Sequence, residues 1–242
     1  MVLIHVSKSL WLALAASAVT SGLFAGAVGL LSVRATGIYF AILTLASAEV
    51  FHRIVVYTPA LGGSDGIVGL PLPPLNLIFY EINLHQPITF YFVVLAFSYL
   101  SYQFCCRVVS SPFGRVLNAI ADNENRLSFL GYNVGKYKVI TFIISGVLAG
   151  MAGGWFSLFK RFADTEQLHF LMSGKVIVMT LLGGLGSLVG PVLGAVFITF
   201  FETIISSLFE FYPVIIGSMF MLVVIFFPKG LVGLFPFLKR GR

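Results

Sequence analysis

The stretch Gly62-Gly63-Ser64-Asp65-Gly66 matches Gly-x-Ser-x-Gly, the pattern in which a serine on a sharp strand-to-helix turn becomes a nucleophile. That chemistry needs a strand before the motif and a helix after it. Gly69, Pro71, Pro73 and Pro74 follow instead and keep the chain irregular, so the five residues read as a turn-forming loop. Other reactive types are placed no better. Cys105 and Cys106 are adjacent and have no second pair with which to build a zinc site or a disulfide framework. His5, His52, His85 and His169 are scattered without ligand spacing, so the sequence supports no metal site. Between Gly131 and Lys136 there are too few residues for a phosphate-binding loop, and Tyr137 stands where a serine or threonine belongs. The reading is therefore a chain that is not an enzyme, has no cofactor, and draws energy from a partner or an ion gradient.

The remaining chemistry lies in ionisable and hydroxyl groups within apolar surroundings. Glu49 and Arg53 are four residues apart in the order that favours pairing on a helix, and an ionisable residue in a membrane segment is a functional candidate by default. They read first as a pair near the outer interface that satisfies itself, and second as pathway groups. Glu202 is similarly placed on a later segment without an evident local partner. Thr44 and Thr180 either line a pathway or bond to their own helix backbone, the commoner habit of membrane threonines.

The elements that position these groups are set by composition. With 58% hydrophobic and 10% charged residues and a mean hydropathy of +1.00, the chain is far from a soluble mixture, in which about a quarter of residues are charged. It reads as an all-α polytopic transmembrane helical bundle forming a single membrane domain over residues 1–242. Apolar runs long enough to cross a bilayer fall at 9–31, 37–58, 87–106, 136–159, 190–209 and 213–231, and a shorter one at 173–185 runs into glycines, giving six or seven spans. Lys8 ahead of the Ala-rich first run resembles a signal peptide, but the run is too long for a signal core and is expected to be a retained helix. The net charge of +6 does not point to nucleic acid, because the cations gather at the ends of apolar runs.

One extended polar segment interrupts these runs, at 110–135, and it reads as an amphipathic helix on the membrane surface. Ser110 or Ser111 caps it, Pro112 suits the first turn, and Gly131 closes it in a left-handed conformation. Phe113, Val116, Leu117, Ile120, Leu127 and Leu130 form one face; Arg115, Asn118, Asp122, Asn125 and Arg126 form the other, with Asp122 four residues before Arg126. If this segment is cytoplasmic, ten of the fifteen Lys and Arg residues are inside: Arg34, Arg107, Arg115, Arg126, Lys136, Lys138, Lys229, Lys239, Arg240 and Arg242. The C-terminus is then cytoplasmic too. The chain also repeats itself. Ser21–Gly29 and Ser145–Gly153 agree at five of nine positions, each followed by an apolar stretch with a threonine before a leucine, at Thr44 and Thr180. The orientation makes the two copies run oppositely, as in an inverted-topology repeat. The glycines at 22, 26, 146, 150, 154, 190 and 194 read as close helix-packing positions.

Five ordered motifs resemble the permease subunits of ABC importers for branched-chain amino acids, in particular the LivM-like kind. They are Arg34-Ala-Thr-Gly-Ile-Tyr-Phe-Ala-Ile-Leu-Thr-Leu-Ala46 with Glu49; Leu61-Gly-Gly-Ser-Asp-Gly-Ile67 with Gly69, Leu70 and Pro71; Ser111-Pro-Phe-Gly-Arg115 with Ala119, Ile120, Asp122, Glu124, Leu130 and Gly131; Gly183-Gly-Leu-Gly-Ser187 with Gly190, Pro191, Gly194 and Ala195; and Phe227-Pro-Lys-Gly-Leu231. The resemblance implies a sister permease, two cytoplasmic ATP-binding subunits and an extracytoplasmic protein that delivers a small-molecule substrate, all at a bacterial or archaeal cytoplasmic (inner) membrane. It assigns ATPase coupling to Pro112, Phe113, Gly114, Arg115, Leu117, Ala119, Ile120, Asp122, Glu124, Leu130 and Gly131. The loop Gly62–Gly66 would lie near the pathway mouth. Such permeases usually carry two or three further hydrophobic segments ahead of the region matching 9–31, a departure that leaves this sequence expected to lack those helices. Within the class, a urea or amide permease is the alternative substrate reading. Outside it stand an ion-gradient transporter using Glu49 or Glu202, an intramembrane hydrolase using Ser64, and a nonfunctional remnant.

Overall fold

Long runs of Leu, Ile, Val and Phe, unbroken by proline, satisfy their backbone polar groups internally as helices, the arrangement a bilayer imposes. The computed structural model of the chain describes residues 9–33, 35, 37–73, 75–77, 80–82, 84–208, 217, 218 and 230. Among them are helices α1 (Leu10–Ser32), α2 (Ile38–Val56), α3 (Pro87–Ser110), α4 (Pro112–Asp122), α5 (Glu124–Phe129), α6 (Val134–Lys160), α7 (Phe170–Gly183) and α8 (Val189–Leu208). Five helices, α1, α2, α3, α6 and α8, are long and apolar enough to cross a membrane. Helix α7, with 14 residues, is the shorter apolar element expected at 173–185. Apart from Gly217, Ser218 and Gly230, the expected span at 213–231 and the motif at 227–231 lie outside the described residues, as do Arg34 and the C-terminal cations. Large apolar side chains such as Leu30, Ile38 and Tyr39 face outward, at 65%, 77% and 76% exposure, as lipid-facing surfaces do.

The chain divides into two compact units, Met1–His169 and Phe170–Arg242. In the first, α1 and α6 pack closely along most of their length and run antiparallel. Gly154 lies against Leu14 and Ser17, Gly146 against Ser21 and Ala25, Gly29 against Phe142, and Gly135 against Val33. Gly22 meets Val147 close to where Gly146 meets Ser21, so the two matched motifs of the internal repeat cross each other near equivalent glycines. Opposite directions are what an inverted repeat requires. A small apolar core fills one end of this pair: Leu10 and Leu14 of α1, Trp155 and Leu158 of α6, and Leu72 and Leu84 of the irregular segment, with Phe90 and Phe97 of α3 packed against it. Helix α2 joins through ring contacts between Phe24 and Phe51 and between Phe40 and Phe142.

The segment joining α2 to α3 contains two short 3-10 turns, Pro59–Leu61 and Gly63–Asp65, and the strands β1 (Ile67–Val68), β2 (Leu75–Leu77) and β3 (Tyr80–Ile82). Strand β1 pairs antiparallel with β4 (Phe162–Ala163), which directly follows α6, while β2 and β3 form a hairpin. In the second unit, α7 and α8 form an antiparallel hairpin. Gly184 at its turn has a φ of +112°, and the Ser187 hydroxyl accepts a 3.1 Å bond from the Gly190 amide. Gly183 lies against Gly190, and Gly194 against the Met179 carbonyl.

Candidate functional site

The polar segment sits where α3 ends and α6 begins. The Ser111 hydroxyl accepts from the Gly114 amide at 3.3 Å and donates to the Val108 carbonyl at 2.6 Å, so one residue both caps α4 and ties it to α3. Gly114 is buried against the Val108 and Val109 carbonyls, where any side chain would collide. The single helix expected over this segment is two helices. Asn123 adopts an extended conformation (φ −163°, ψ 103°), and its side chain accepts from the Arg126 amide at 3.1 Å. An asparagine that caps a new helix competes with continuing the old one.

That break has consequences for the expected faces. Phe113, Val116, Leu117, Ala119, Ile120 and Leu127 turn wholly or partly inward, while Arg115, Asn118, Asp122, Asn125 and Arg126 are exposed, as expected. Leu130 is not on the inner face: it caps α5 and is 73% exposed beside Phe129 at 89%. Asp122 and Arg126 fall in different helices and form no ion pair. Glu124 instead accepts a 2.6 Å bond from Lys138 of α6, and Phe113 stacks on Tyr137 at 5.4 Å. Gly131 has a φ of +85°, the left-handed closing conformation expected.

The far end of α6, about 40 Å away for a helix of 27 residues, carries the remaining outer-loop candidates. Backbone bonds from Gly69 and Leu70 to the Arg161 carbonyl, both 3.2 Å, hold the loop against the end of α6. The Thr165 hydroxyl donates to the Ser64 carbonyl at 3.4 Å. Gly66, at φ +68°, lies against the Ala163 carbonyl and the Phe162 ring. Gly62 and Gly63 also have positive φ. The Ser64 hydroxyl donates to the Asp65 carboxylate at 3.0 Å, and both side chains are exposed in a 3-10 turn, which is not the geometry of a nucleophile elbow.

Glu49 and Arg53 pair at 3.0 Å, as their spacing predicts. The fold also brings His169 to Glu49 (4.0 Å) and to His52, ring centroids 5.1 Å apart. Two of the four histidines are therefore not scattered. The missed signal was Glu49-x-x-His52, which puts both groups on one helix face; His169 arrives through tertiary structure. Thr44 and Thr180 each bond to their own helix, at the Ala41 and Val176 carbonyls. Glu202 is not alone: Lys175 of α7 contacts both its carboxylate oxygens, at 2.7 and 2.6 Å. The two are 27 residues apart, and the α7–α8 hairpin brings them face to face.

Comparison with known proteins gives these positions a family. LivM, the high-affinity branched-chain amino acid transport system permease protein of Escherichia coli K12, is 28% identical over 236 residues, covering 88% of this chain and 56% of its own length. The probable branched-chain amino acid transport permease LivM of Methanocaldococcus jannaschii is 29% identical over 180 residues, covering 72% of this chain and 50% of its own. Escherichia coli LivH is 27% identical over 125 residues, covering 51% of this chain and 40% of its own. The chain thus spans about half the length of the curated relatives it matches. No solved structure matches it significantly. The family described as the branched-chain amino acid transport system permease component matches residues 1–227. With that match covering most of the chain and five apolar helices behind it, the chain belongs to this family of multi-pass membrane permeases.

Proposed function

We propose that the chain is the membrane permease subunit of an ABC importer, passing amino acids, branched-chain ones by kinship, from an extracytoplasmic binding protein to the cytoplasm. Two ATP-binding subunits drive it and a sister permease completes the pathway. The observation that carries the reading is the α4–α5 pair. A soluble motor can move membrane helices only through an element that is fixed to them and still reachable. The Ser111 cap, the Phe113–Tyr137 stack and the Glu124–Lys138 pair fix this one to α3 and α6. Exposed Phe129 and Leu130 supply apolar anchors, and Arg115, Asp122 and Arg126 supply steering charge. In this reading α4 and α5 face the cytoplasm, and Gly62–Gly66 faces the pathway mouth and the binding protein.

A gradient-driven mechanism through Glu202 is less well supported, because Lys175 already neutralises that carboxylate. The test is purification of the chain in mild detergent from its native membrane, as wild type and as Arg115→Ala/Asp122→Ala. ATPase subunits recovered with wild type and lost from the variant, while a sister permease stays in both, is the expected result. Wild-type protein without an ATPase subunit, or a variant that retains it with unchanged amino-acid uptake, would overturn the reading.

A further inference from the structure

Helix α2 presents Glu49 and His52 three residues apart on one face, and the chain beyond the 3-10 turn Thr165–Leu168 lays His169 against both. Each of the three offers a ligand atom, and those atoms lie within 4.8 Å of one another. Around one tetrahedral zinc ion with bonds of about 2.0–2.1 Å, ligand atoms stand about 3.3 Å apart, so small side-chain rotations close the gap. A second observation marks the spot. Among the described residues, five buried side-chain nitrogen or oxygen atoms lack a hydrogen-bond partner, and two of them, Glu49 Oε2 and His52 Nδ1, belong to this trio. Buried polar atoms are ordinarily satisfied, so two orphans in one cluster indicate a missing partner. We propose that Glu49, His52 and His169 form a binding site for a divalent transition-metal ion of the zinc class, which clasps α2 to the segment that follows α6.

The donor set favours that class of ion. Two imidazoles with one carboxylate suit zinc, cobalt, nickel or copper, whereas calcium and magnesium prefer all-oxygen shells. Three protein ligands leave a fourth position open. Access exists, since the Glu49 and His169 side chains are 33% and 29% exposed and Glu49 opens onto a shallow groove with Val50, Arg53, Ile54, Tyr57 and Thr58. Arg53 holds Glu49 Oε1 at 3.0 Å, which orients the carboxylate so that Oε2 faces the histidines, as an outer-shell partner does. Its positive charge opposes the ion and sets a ceiling on affinity. The site is independent of the proposed importer function and stands or falls without it.

The test is titration of the purified protein in detergent with Zn²⁺ alone, read by competition with a chromophoric chelator. About one equivalent binds the wild type. His52→Gln and His169→Gln each weaken binding at least ten-fold, while His5→Gln, His85→Gln and Cys105→Ser/Cys106→Ser leave it unchanged. His169→Cys keeps the site and adds a thiolate-to-metal band when Co²⁺ replaces zinc. No saturable one-equivalent binding, or binding that survives both glutamine substitutions, overturns the proposal. If a glutamine variant fails to fold, Co²⁺ spectra of the wild type and of His169→Cys decide, and the absence of the thiolate band in the latter counts against the site.

Discussion

Lys175 and Glu202 form the ion pair that a lipid environment punishes most if it is broken. Their side chains are 36% and 29% exposed in the described structure, but both project from apolar helices. Removing one charge leaves the other to find water or neutralise. Lys175→Met should therefore destabilise the protein by about 2–3 kcal/mol, the order of cost for one charge within a membrane helix. Lys175→Met/Glu202→Met should recover most of that loss, because two apolar groups leave no charge stranded. Thermal unfolding in detergent of Lys175→Met, Glu202→Met and the double variant gives the coupling directly. A loss in the double variant equal to the sum of the two single-variant losses would show the pair to be energetically idle. The sequence disclosed Glu202 as an acid in an apolar run, but not its partner. Spacing reports neighbours three or four residues apart, and this pair is closed by a hairpin. The Glu49–Arg53 pair was legible for the opposite reason: its geometry is local to one helix.

At the scale of elements, the glycines of α1 and α6 decide how closely the helices approach. In a membrane the gain comes from packing rather than from removing apolar surface from water. A side chain at Gly146 would meet Ala25 and the Ser21 carbonyl, and one at Gly150 would meet Ser21 and Ser17. Backbone lies on the far side of both contacts, so neither can yield cheaply. Gly146→Val should cost about 1–3 kcal/mol by overpacking, and Gly153→Val, where an added Cβ meets nothing within 4 Å beyond its own helix backbone, should cost little. Comparison of their unfolding midpoints in the same detergent checks the assignment; similar losses at 146 and 153 would contradict it. The long helices, the glycine seams and the Ser111–Pro112 start of α4 could be read from sequence because periodicity and caps are local. The break at Asn123 could not. The apolar period continues across it from Ile120 to Leu127, and only the competing cap divides the helix. Leu130 was misplaced as a direct result.

For the first compact unit as a whole, the arrangement separates two groups of candidate residues to opposite ends. Helices α4 and α5 adjoin the start of α6, and the loop Gly62–Gly66 is tied to its end through Gly69, Leu70 and Thr165. A helix of about 40 Å exceeds the roughly 30 Å of bilayer hydrocarbon, which predicts that the two groups reach water on different sides. Single cysteines at exposed Asn118 and Ser64, in a background with Cys105 and Cys106 replaced by serine, convert this into a measurement. In sealed, right-side-out vesicles a membrane-impermeant maleimide should label Ser64→Cys at once and Asn118→Cys only after permeabilisation. The excess of Lys and Arg at the α4 end sets that direction. Labelling of both from one side would break the antiparallel arrangement of α1 and α6 as a transmembrane pair. Labelling in the reversed order would preserve the fold and remove cytoplasmic coupling through Arg115 and Asp122, so one experiment separates the architecture from the function proposed for it.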